Sequence, residues 1–499
     1  MSFPRTSGIL LHPTSLPGRF GIGDLGPEAY RFIDFLETSH QKLWQVLPLG
    51  APGFGNSPYL AYSAMAGNPM LISPDRLLAQ GLLDPTDLDN LPDLPLDQAA
   101  FDEATAIKWP LFRKAFTQFQ SQATAEQKAA FEQFCQQKAG WLDDYALFMA
   151  IKEAHNGSGW TAWETGLAKR DPAVLGQWQE RLQDAVLFQK YLQYEFFSQW
   201  SALRTYANDR GVQIIGDIPI YVAHDSVDVW AHPENFCLNP ETGYAALMAG
   251  VPPDYFSATG QLWGNPVYNW DYLQHHGFAW WVQRFECLLE YVDIIRIDHF
   301  RGLQAYWVVP EGETTAMNGW WVEAPGYAFF NRIREHFGKL PIIAEDLGII
   351  TPEVDALRDT FDFPGMKILQ FAFDSGNANP YLPFNFAHAN CVVYTGTHDN
   401  DTTAGWFSER SLQQQWQVGQ YLGHRSFHGI HWDLITVALG SVANQAITPL
   451  QDVLGLGTEA RMNFPSRAAG NWGWRYRSEH LTDDLGDRLG QLTKAFGRA

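Results

Sequence analysis

Residues 292–302 bring an arginine and a carboxylate together at the end of a short apolar run. This isoleucine-rich run, followed by charge and glycine, predicts a strand buried on both faces. Side chains alternate along a strand, so Arg296 and Asp298 lie on one face. We expect Arg296 to keep Asp298 ionised at neutral pH, the state that a nucleophilic carboxylate needs. An internal ion pair without a catalytic role is the alternative.

Acidic residues also end three other apolar runs of the chain. The set of acidic run ends is Asp217, Asp298, Glu345 and Asp399. Gathering like charges costs free energy, and no metal-binding motif accompanies them, so their convergence indicates catalysis by carboxylates. Two carboxyl groups, one ionised and one protonated, are the equipment of glycoside chemistry: one attacks the anomeric carbon and the other protonates the departing oxygen.

The protonated partner has two candidates that are neighbours in the chain. Glu345 follows the apolar run 342–344, so burial could raise its pKa into the range of a general acid. Asp346 is a rival, because adjacent strand residues face opposite ways and only one of them can face the inside of a barrel. Spacing alone leaves the choice open. A third carboxylate, Asp399, could stabilise positive charge or bind sugar hydroxyls.

The elements that must position these groups are short apolar runs that alternate with helical patterns. Such alternation predicts an α/β fold with a parallel sheet, and eight runs predict a closed (β/α)₈ TIM barrel. In that barrel the carboxyl ends of the strands share one face, where functional groups concentrate. The eight predicted strands are Gly8–His12, Leu43–Leu47, Val212–Asp217, Asp293–Asp298, Pro341–Glu345, Met366–Phe371, Cys391–Thr397 and Ala446–Leu450.

Two segments interrupt this pattern. Residues 100–209 are rich in Ala, Gln, Glu and Lys, and their helical stripe predicts a helical insertion. Residues 225–270 are rich in Gly, Pro, Asn and aromatics, which predicts a loop-rich insertion over the site. We therefore expect a single catalytic barrel over residues 1–499 that carries both insertions. The stripe consists of Phe188, Leu192, Phe196, Trp200, Leu203 and Ala207.

The composition narrows the class of ligand. The formal net charge of the 499 residues is -21, and the basic residues form no runs, which argues against nucleic acid or an anionic membrane surface as the main partner. Aromatic residues make up 14% of the chain, and many stand in loop-like segments where flat rings suit flat neutral ligands. We expect a neutral or cationic ligand, no metal and no cofactor.

The cysteines and the N-terminus indicate the compartment. Four cysteines are scattered without C-x-x-C spacing, so neither a zinc site nor a disulfide framework is predicted. The N-terminus lacks the pattern of a signal peptide, and no apolar run is long enough to span a bilayer. We expect a cytoplasmic protein that acts as a monomer.

Four motifs in this order resemble the amylomaltase (4-alpha-glucanotransferase) family, glycoside hydrolase family 77. The motifs are Gly8–Gly18, Arg296–Gly302, Ala344–Gly348 and Gly396–Thr403, and the resemblance runs nearly end to end. It implies an α-amylase-type barrel that acts on α-1,4-glucans by a retaining double displacement. By this match Asp298 is the nucleophile, Glu345 and not Asp346 is the acid/base, and Asp399 is the transition-state stabiliser.

The resemblance also implies a set of residues that bind the substrate. Part of this set lies in the segment 250–257, which resembles a lid across the cleft. The residues are Ser57, Tyr59, Asp217, Asp254, Tyr255, Trp263, Arg296, His299, His398 and Asn463. The acceptor that the resemblance implies is the 4-hydroxyl of another glucan or of glucose.

Other classes of protein fit the residues less well. Gly21–Gly26 matches the dinucleotide fingerprint G-x-G-x-x-G, but Pro13 and Pro17 separate it from the strand that it should follow at once. A glucan-binding protein without activity would not need Glu345 and Asp399 opposite Asp298. No serine-hydrolase elbow G-x-S-x-G and no metal-hydrolase motif H-E-x-x-H occur. Composition leaves open whether water or a sugar hydroxyl attacks the glycosyl-enzyme.

Overall fold

The computed structural model describes residues 3–253, 257–423, 426–465, 467 and 469–499. The strands are β1 (Thr6–Leu10), β2 (Leu43–Gln45), β3 (Gln213–Ile218), β4 (Leu247–Val251), β5 (Gln261–Pro266), β6 (Ile294–Ile297), β7 (Ala305–Pro310), β8 (Trp320–Glu323), β9 (Ile342–Ala344), β10 (Gly365–Ile368), β11 (Cys391–Tyr394) and β12 (Gln445–Pro449). Eight of them are parallel and form one sheet in the order β10-β11-β12-β1-β2-β3-β6-β9, so barrel strands that follow one another in sequence are also neighbours in space.

The sheet curls so that its end strands β9 and β10 meet. There the Ala344 N–H donates to the Pro364 carbonyl at 2.9 Å, which ties β9 to the residue before β10. Each of the eight predicted runs overlaps one of the barrel strands. The predicted (β/α)₈ barrel is therefore confirmed, because short isoleucine- and valine-rich runs are buried on both faces when helices cover the outside of the barrel.

Helices surround the barrel and fill most of the connections. Between β10 and β11 the described residues form only two short 3₁₀ helices instead of an α-helix. No helix in the described part of the chain is both long and apolar enough to cross a bilayer. The helices are α1 (Pro27–Thr38), α2 (Pro74–Ala79), α3 (Phe101–Gln122), α4 (Ala125–Ala154), α5 (Thr165–Ala168), α6 (Pro172–Arg181), α7 (Gln183–Asp209), α8 (Val227–Ala231), α9 (Trp270–His275), α10 (Ala279–Leu289), α11 (Gly326–Phe337), α12 (Pro352–Thr360), α13 (Thr403–Ser408), α14 (Leu412–Leu422), α15 (Ile430–Gly440), α16 (Leu450–Leu454) and α17 (Asp483–Ala495).

The segment 100–209 is helical, and its last helix belongs to the barrel wall as well. All six residues of the predicted stripe on α7 are buried. Trp200 on this helix packs against Trp44 of β2, with 6.3 Å between the ring centroids. Its indole N–H donates to the Tyr291 carbonyl at 2.7 Å. Helix α7 thus fills the outer layer between β2 and β3, while α3 and α4 pack on it from outside.

The segment 225–270 contains more regular structure than a loop-rich insertion would. Strands β4 and β5 lie within it and join β7 and β8 in a second sheet, antiparallel and in the order β5-β4-β7-β8. The pairing partners β7 and β8 come after the Asp298 strand in sequence, so local composition could not reveal them. Gly, Asn and Pro weaken the strand signal here because they are rare inside strands.

One buried carboxyl group in the helical layer has no cationic partner. The side chain of Glu195 on α7 is buried, and no salt bridge involves it among the described residues. Burial raises the pKa of Glu195 to about 7, partly offset by the neighbouring Gln80, Gln199 and Tyr191 side chains. The folded protein therefore keeps the Glu195 proton up to a higher pH than the unfolded chain does. Its contribution makes the fold less stable as pH rises from about 4.5 to 7.

We expect Glu195→Gln to stabilise the protein at pH 8, because the amide removes the cost of a buried charge. A pKa change of this size corresponds to roughly 3 kcal/mol in the free energy of unfolding. At pH 5 the gain should nearly disappear, since the native carboxyl group is then protonated. Denaturant unfolding at both pH values measures this, with Glu132→Gln on exposed surface as the control. An equal effect at both pH values would contradict the prediction.

Candidate active site

The carboxyl ends of four barrel strands bring the predicted acids to one rim. Asp217 is the last residue but one of β3, Asp298 follows β6 directly, and Glu345 follows β9 directly. Asp399 stands in the loop after β11. Parallel strands of a barrel end on the same face, so residues far apart in sequence become neighbours here.

A single buried arginine joins two of these acids. Asp217 and Arg296 are paired in the register of β3 and β6. The Arg296 Nη1 donates to both carboxylate oxygens of Asp217, at 2.7 and 2.6 Å, and lies 3.1 Å from the Asp298 Oδ1. The Tyr59 hydroxyl donates to the same Asp217 carboxylate at 2.7 Å. Asp217 is fully buried, whereas 30% of the Asp298 side chain is exposed, so Asp298 is the acid that reaches the cleft.

The surroundings of Asp298 favour its anion less than Arg296 alone would. Arg296 was expected to keep this group ionised, yet its guanidinium lies closer to Asp217 than to Asp298. Burial raises the pKa of Asp298 well above its usual range, and the negative charges of Asp217, Glu345 and Asp399 raise it further, while Arg296 opposes them. One cation shared among several carboxylates cannot compensate all of them.

Backbone donors hold Glu345. Its Oε2 accepts a hydrogen bond from the His299 N–H at 2.6 Å, and its Oε1 accepts one from the Leu347 N–H at 3.0 Å. His299 adopts a left-handed backbone conformation with φ 51°, uncommon for a residue other than glycine. Burial raises the pKa of Glu345, opposed first by Arg296 and then by the two backbone hydrogen bonds. The side chain of Glu345 is therefore fixed, and its protonated form is favoured.

The structure separates Glu345 from its rival Asp346. The Asp346 carboxylate accepts a hydrogen bond from Arg358 at 2.5 Å and another from the Met366 N–H at 2.7 Å. Both carboxylate oxygens of Asp346 are thus engaged between β9 and its neighbours on α12 and β10. The two neighbouring carboxyl groups thus have different partners, and the assignment of Glu345 as the acid stays a prediction.

Asp399 is held from the opposite side of the rim. The Asn463 amide donates to the Asp399 Oδ1 at 2.6 Å, and the His398 Nε2 lies 3.4 Å from the same oxygen. The Arg461 side chain donates to the Asp399 carbonyl at 2.6 Å, which fixes the loop. Burial lowers the pKa of His398 despite the nearby Asp399, so the imidazole is neutral.

An open cleft of about 410 Å³ borders Asp298 and Asp399, whereas Glu345 is not among the residues that line it. Asp298 and Asp399 line it together with Ser57 and other polar and aromatic side chains. Five of the residues predicted to bind substrate lie in this lining, namely Ser57, Tyr59, Trp263, His398 and Asn463. Three more, Asp217, Arg296 and His299, lie behind or beside it. The remaining two, Asp254 and Tyr255, lie outside the described residues.

Aromatic rings form the walls of the cleft. Tyr59 stacks on His398 with 5.2 Å between ring centroids, and Trp472 packs against both rings at 5.9 and 6.0 Å. On the other side Trp263 meets His299 edge to face at 4.8 Å. Flat rings with polar groups between them suit a pyranose, which offers apolar faces and hydroxyl edges.

Some residues of the site were missed by sequence reasoning. Trp472 and Arg461 were not singled out, although Trp472 stands in a Gly-Asn-Trp-Gly stretch of the kind that marks an aromatic loop. That composition could have revealed Trp472, whereas nothing local distinguishes Arg461. Among the described residues, no three His, Cys, Asp or Glu side chains are grouped so that they could hold a metal ion.

The chain is similar to known proteins over nearly its whole length. The family model described as 4-alpha-glucanotransferase matches residues 11–482. A 4-alpha-glucanotransferase of Synechocystis sp. is 59% identical over 99% of this chain and 98% of the relative, and one of Thermus thermophilus is 48% identical over the full length of both. The solved amylomaltase of Streptococcus agalactiae in complex with acarbose superposes with a TM-score of 0.96 at 38% identity, covering 99% of this chain and 100% of the other. The chain therefore belongs to the 4-alpha-glucanotransferase family, glycoside hydrolase family 77, and is an enzyme of that class.

Proposed function

We propose that this enzyme transfers a segment of an α-1,4-glucan to the 4-hydroxyl of another glucan or of glucose by a retaining double displacement through Asp298. The observation that carries the proposal is the pairing of two differently held acids on one rim. Asp298 faces the cleft with Arg296 behind it, and Glu345 is held by two backbone N–H groups. The relatives named 4-alpha-glucanotransferase and the acarbose-bound amylomaltase support the substrate class.

The first step forms a covalent glycosyl-enzyme. The ionised Asp298 carboxylate attacks the anomeric carbon of the donor, and the bond from that carbon to the glycosidic oxygen breaks. Protonated Glu345 gives its proton to the departing oxygen, so the leaving glucan carries a free 4-hydroxyl and Glu345 becomes a carboxylate. The raised pKa of Glu345 favours the protonated form that this step needs.

The second step reverses the roles. The 4-hydroxyl of the acceptor attacks the same carbon, Glu345 takes the hydroxyl proton, and the ester bond to Asp298 breaks. Two inversions at one carbon retain the α configuration. Retention requires the two carboxyl groups to lie about 5–5.5 Å apart.

The remaining polar groups bind the donor sugar. Asp399, held by Asn463, faces the position where positive charge develops on the ring, so its carboxylate stabilises the transition state. Neutral imidazoles at His398 and His299 hydrogen-bond sugar hydroxyls without adding charge, since burial lowers the pKa of His299 to about 4 and that of His398 as well. Tyr59 offers its ring as a stacking surface while its hydroxyl is bound to Asp217.

Hydrolysis is the competing outcome, because water could attack the glycosyl-enzyme in place of a sugar. Transfer is favoured by aromatic walls around Trp263 and Trp472, which bind an acceptor ring and displace water from the site. The lid that the resemblance implies at residues 250–257 would also keep water out of the site; its residues 254–256 lie outside the described residues. A cytoplasmic location and a monomeric state remain predictions.

Incubation with maltotriose separates transfer from hydrolysis. We expect glucose and longer chains to form while the number of reducing ends stays constant, because each bond broken is replaced by another. Asp298→Asn should lose activity by a factor of at least about 10⁴ with folding intact, since it removes the nucleophile. Chromatography, a reducing-end assay and circular dichroism measure these results. A steady rise in reducing ends would show a hydrolase instead.

The pH dependence of kcat/KM reports the ionisation of Asp298 in the free enzyme. Activity requires ionised Asp298, so it is lost as pH falls through the raised pKa of this group, and the acidic limb should lie above the usual range of an aspartate. Asp217→Asn removes one negative charge and leaves Arg296 to Asp298, which lowers the pKa of Asp298. We therefore expect the acidic limb to move to lower pH in this variant, whatever the loss in overall rate.

The surface variant Asp374→Asn serves as the control for this profile, because its partner is Arg410 far from the cleft lining. Its acidic limb should coincide with that of the unmodified enzyme. An acidic limb that stays in place or moves to higher pH in Asp217→Asn would contradict the assignment of that limb to Asp298.

A further inference from the structure

The carboxyl group next to Glu345 has its own environment. Asp346 is buried, with only 4% of its side chain exposed, and it takes no part in the mechanism above. One of its oxygens accepts the Arg358 hydrogen bond at 2.5 Å, and the other accepts the N–H of Met366 at 2.7 Å. Buried charges cost free energy unless they are paired and hydrogen-bonded, and here both conditions are met.

This carboxyl group lies at the place where the barrel closes. Strand β9 pairs with β6 on one side, and on its other side the Ala344 N–H donates a hydrogen bond to the Pro364 carbonyl. Beyond that bond the link from β9 to β10 is made by the Asp346 side chain, which takes the place of a strand partner for Met366. The closure of the barrel therefore depends on a side chain immediately after Glu345.

The backbone of Glu345 is held to the opposite neighbour. Its N–H donates to the Ile297 carbonyl at 3.0 Å, and its own carbonyl accepts the Phe300 N–H at 3.0 Å. Residue 345 is thus tied to β6 and the loop after it, while residue 346 is tied to β10. With both sides fixed, the Glu345 side chain extends from a firmly held backbone to its two backbone donors.

Two other contacts show that the space around Asp346 is closely fitted. A Cβ added to Gly365 would lie 2.1 Å from the Asp346 Oδ2, far inside van der Waals contact. The thioether of Met366 accepts the Nε–H of Arg296 at 3.4 Å, so the residue that Asp346 binds also supports the arginine behind Asp298. A displacement of β10 would therefore disturb both halves of the catalytic pair.

We propose that Asp346 is a positioning residue for the reaction, which pins β9 to β10 through Met366 and Arg358 and so fixes Glu345 beside Asp298. The inference rests on the proposed function. Its negative charge also acts on Glu345 and raises the pKa of that group. Removal of the charge should therefore change the protonation of Glu345 as well as its placement.

The test compares Asp346→Asn with a control variant at Asp359, a second carboxylate that contacts Arg358. The asparagine keeps an acceptor for Met366 but loses the charge that pairs with Arg358. We expect kcat for maltotriose disproportionation to fall at least tenfold with KM changed less than twofold, and the basic limb of the pH profile to move to lower pH. Asp359→Asn removes an exposed carboxylate 2.8 Å from the same Arg358 and should leave kcat and the basic limb unchanged.

Two further variants keep the test decisive if Asp346→Asn folds poorly. Gly365→Ala displaces the Asp346 oxygens without changing any acid. It should lower kcat and leave KM as it is in the unmodified enzyme. The double variant Asp346→Asn/Arg358→Gln replaces the ion pair by a neutral hydrogen bond. It should recover folding and part of kcat, while the basic limb of its pH profile stays at lower pH. Rates are expressed per folded protein, measured by circular dichroism and size exclusion.

The inference is overturned if folded Asp346→Asn, or the double variant in its place, has the kcat and basic limb of Asp359→Asn. It is also overturned if the loss of activity equals the loss of folded protein. Glu345→Gln distinguishes this result from failure of the proposed function. If Glu345→Gln is inactive while the Asp346 variants are normal, only the positioning role fails; if Glu345→Gln keeps full activity, the proposed mechanism itself fails.

Discussion

One buried guanidinium among several carboxylates is the constraint on which the site depends. The Arg296 Nη1 donates to both carboxylate oxygens of Asp217 and lies 3.1 Å from the Asp298 Oδ1. A second cation would leave every acid ionised and strongly hydrogen-bonded, which suits a structural cluster. A single cation leaves the Asp298 carboxylate incompletely paired, as the proposed nucleophile requires.

The carboxyl groups of the site obtain different properties from different hydrogen-bond donors. Asp217 is satisfied by a cation and by the Tyr59 hydroxyl, and it is removed from the cleft. Glu345 accepts two backbone N–H hydrogen bonds, which orient its carboxyl group, and Arg296 acts on it as a nearby charge. The two carboxyl groups thus have different hydrogen-bond partners, a guanidinium and a hydroxyl for Asp217 and backbone N–H groups for Glu345.

The barrel supplies rigidity where these small differences matter. Its strands are short, and β9 spans only Ile342–Ala344, so the ends of the strands are held in large part by side chains and loops. Asp346 at the β9–β10 junction illustrates this dependence, and the left-handed backbone at His299 illustrates another. The left-handed backbone of His299 and the buried charge of Asp346 lie directly next to Asp298 and Glu345 in the chain, where the surrounding structure compensates them.

Sequence alone determined the strands of the barrel and the types of acid at their ends, because short apolar runs and the period of a strand are local properties of the chain. It also placed Arg296 and Asp298 on one face. Tertiary structure decided which acid the guanidinium binds more closely, since Asp217 meets Arg296 through the register of two strands far apart in sequence. The second sheet, the contacts of Trp472 and the separate partners of Glu345 and Asp346 were likewise decided in space, because each depends on neighbours that no local pattern specifies.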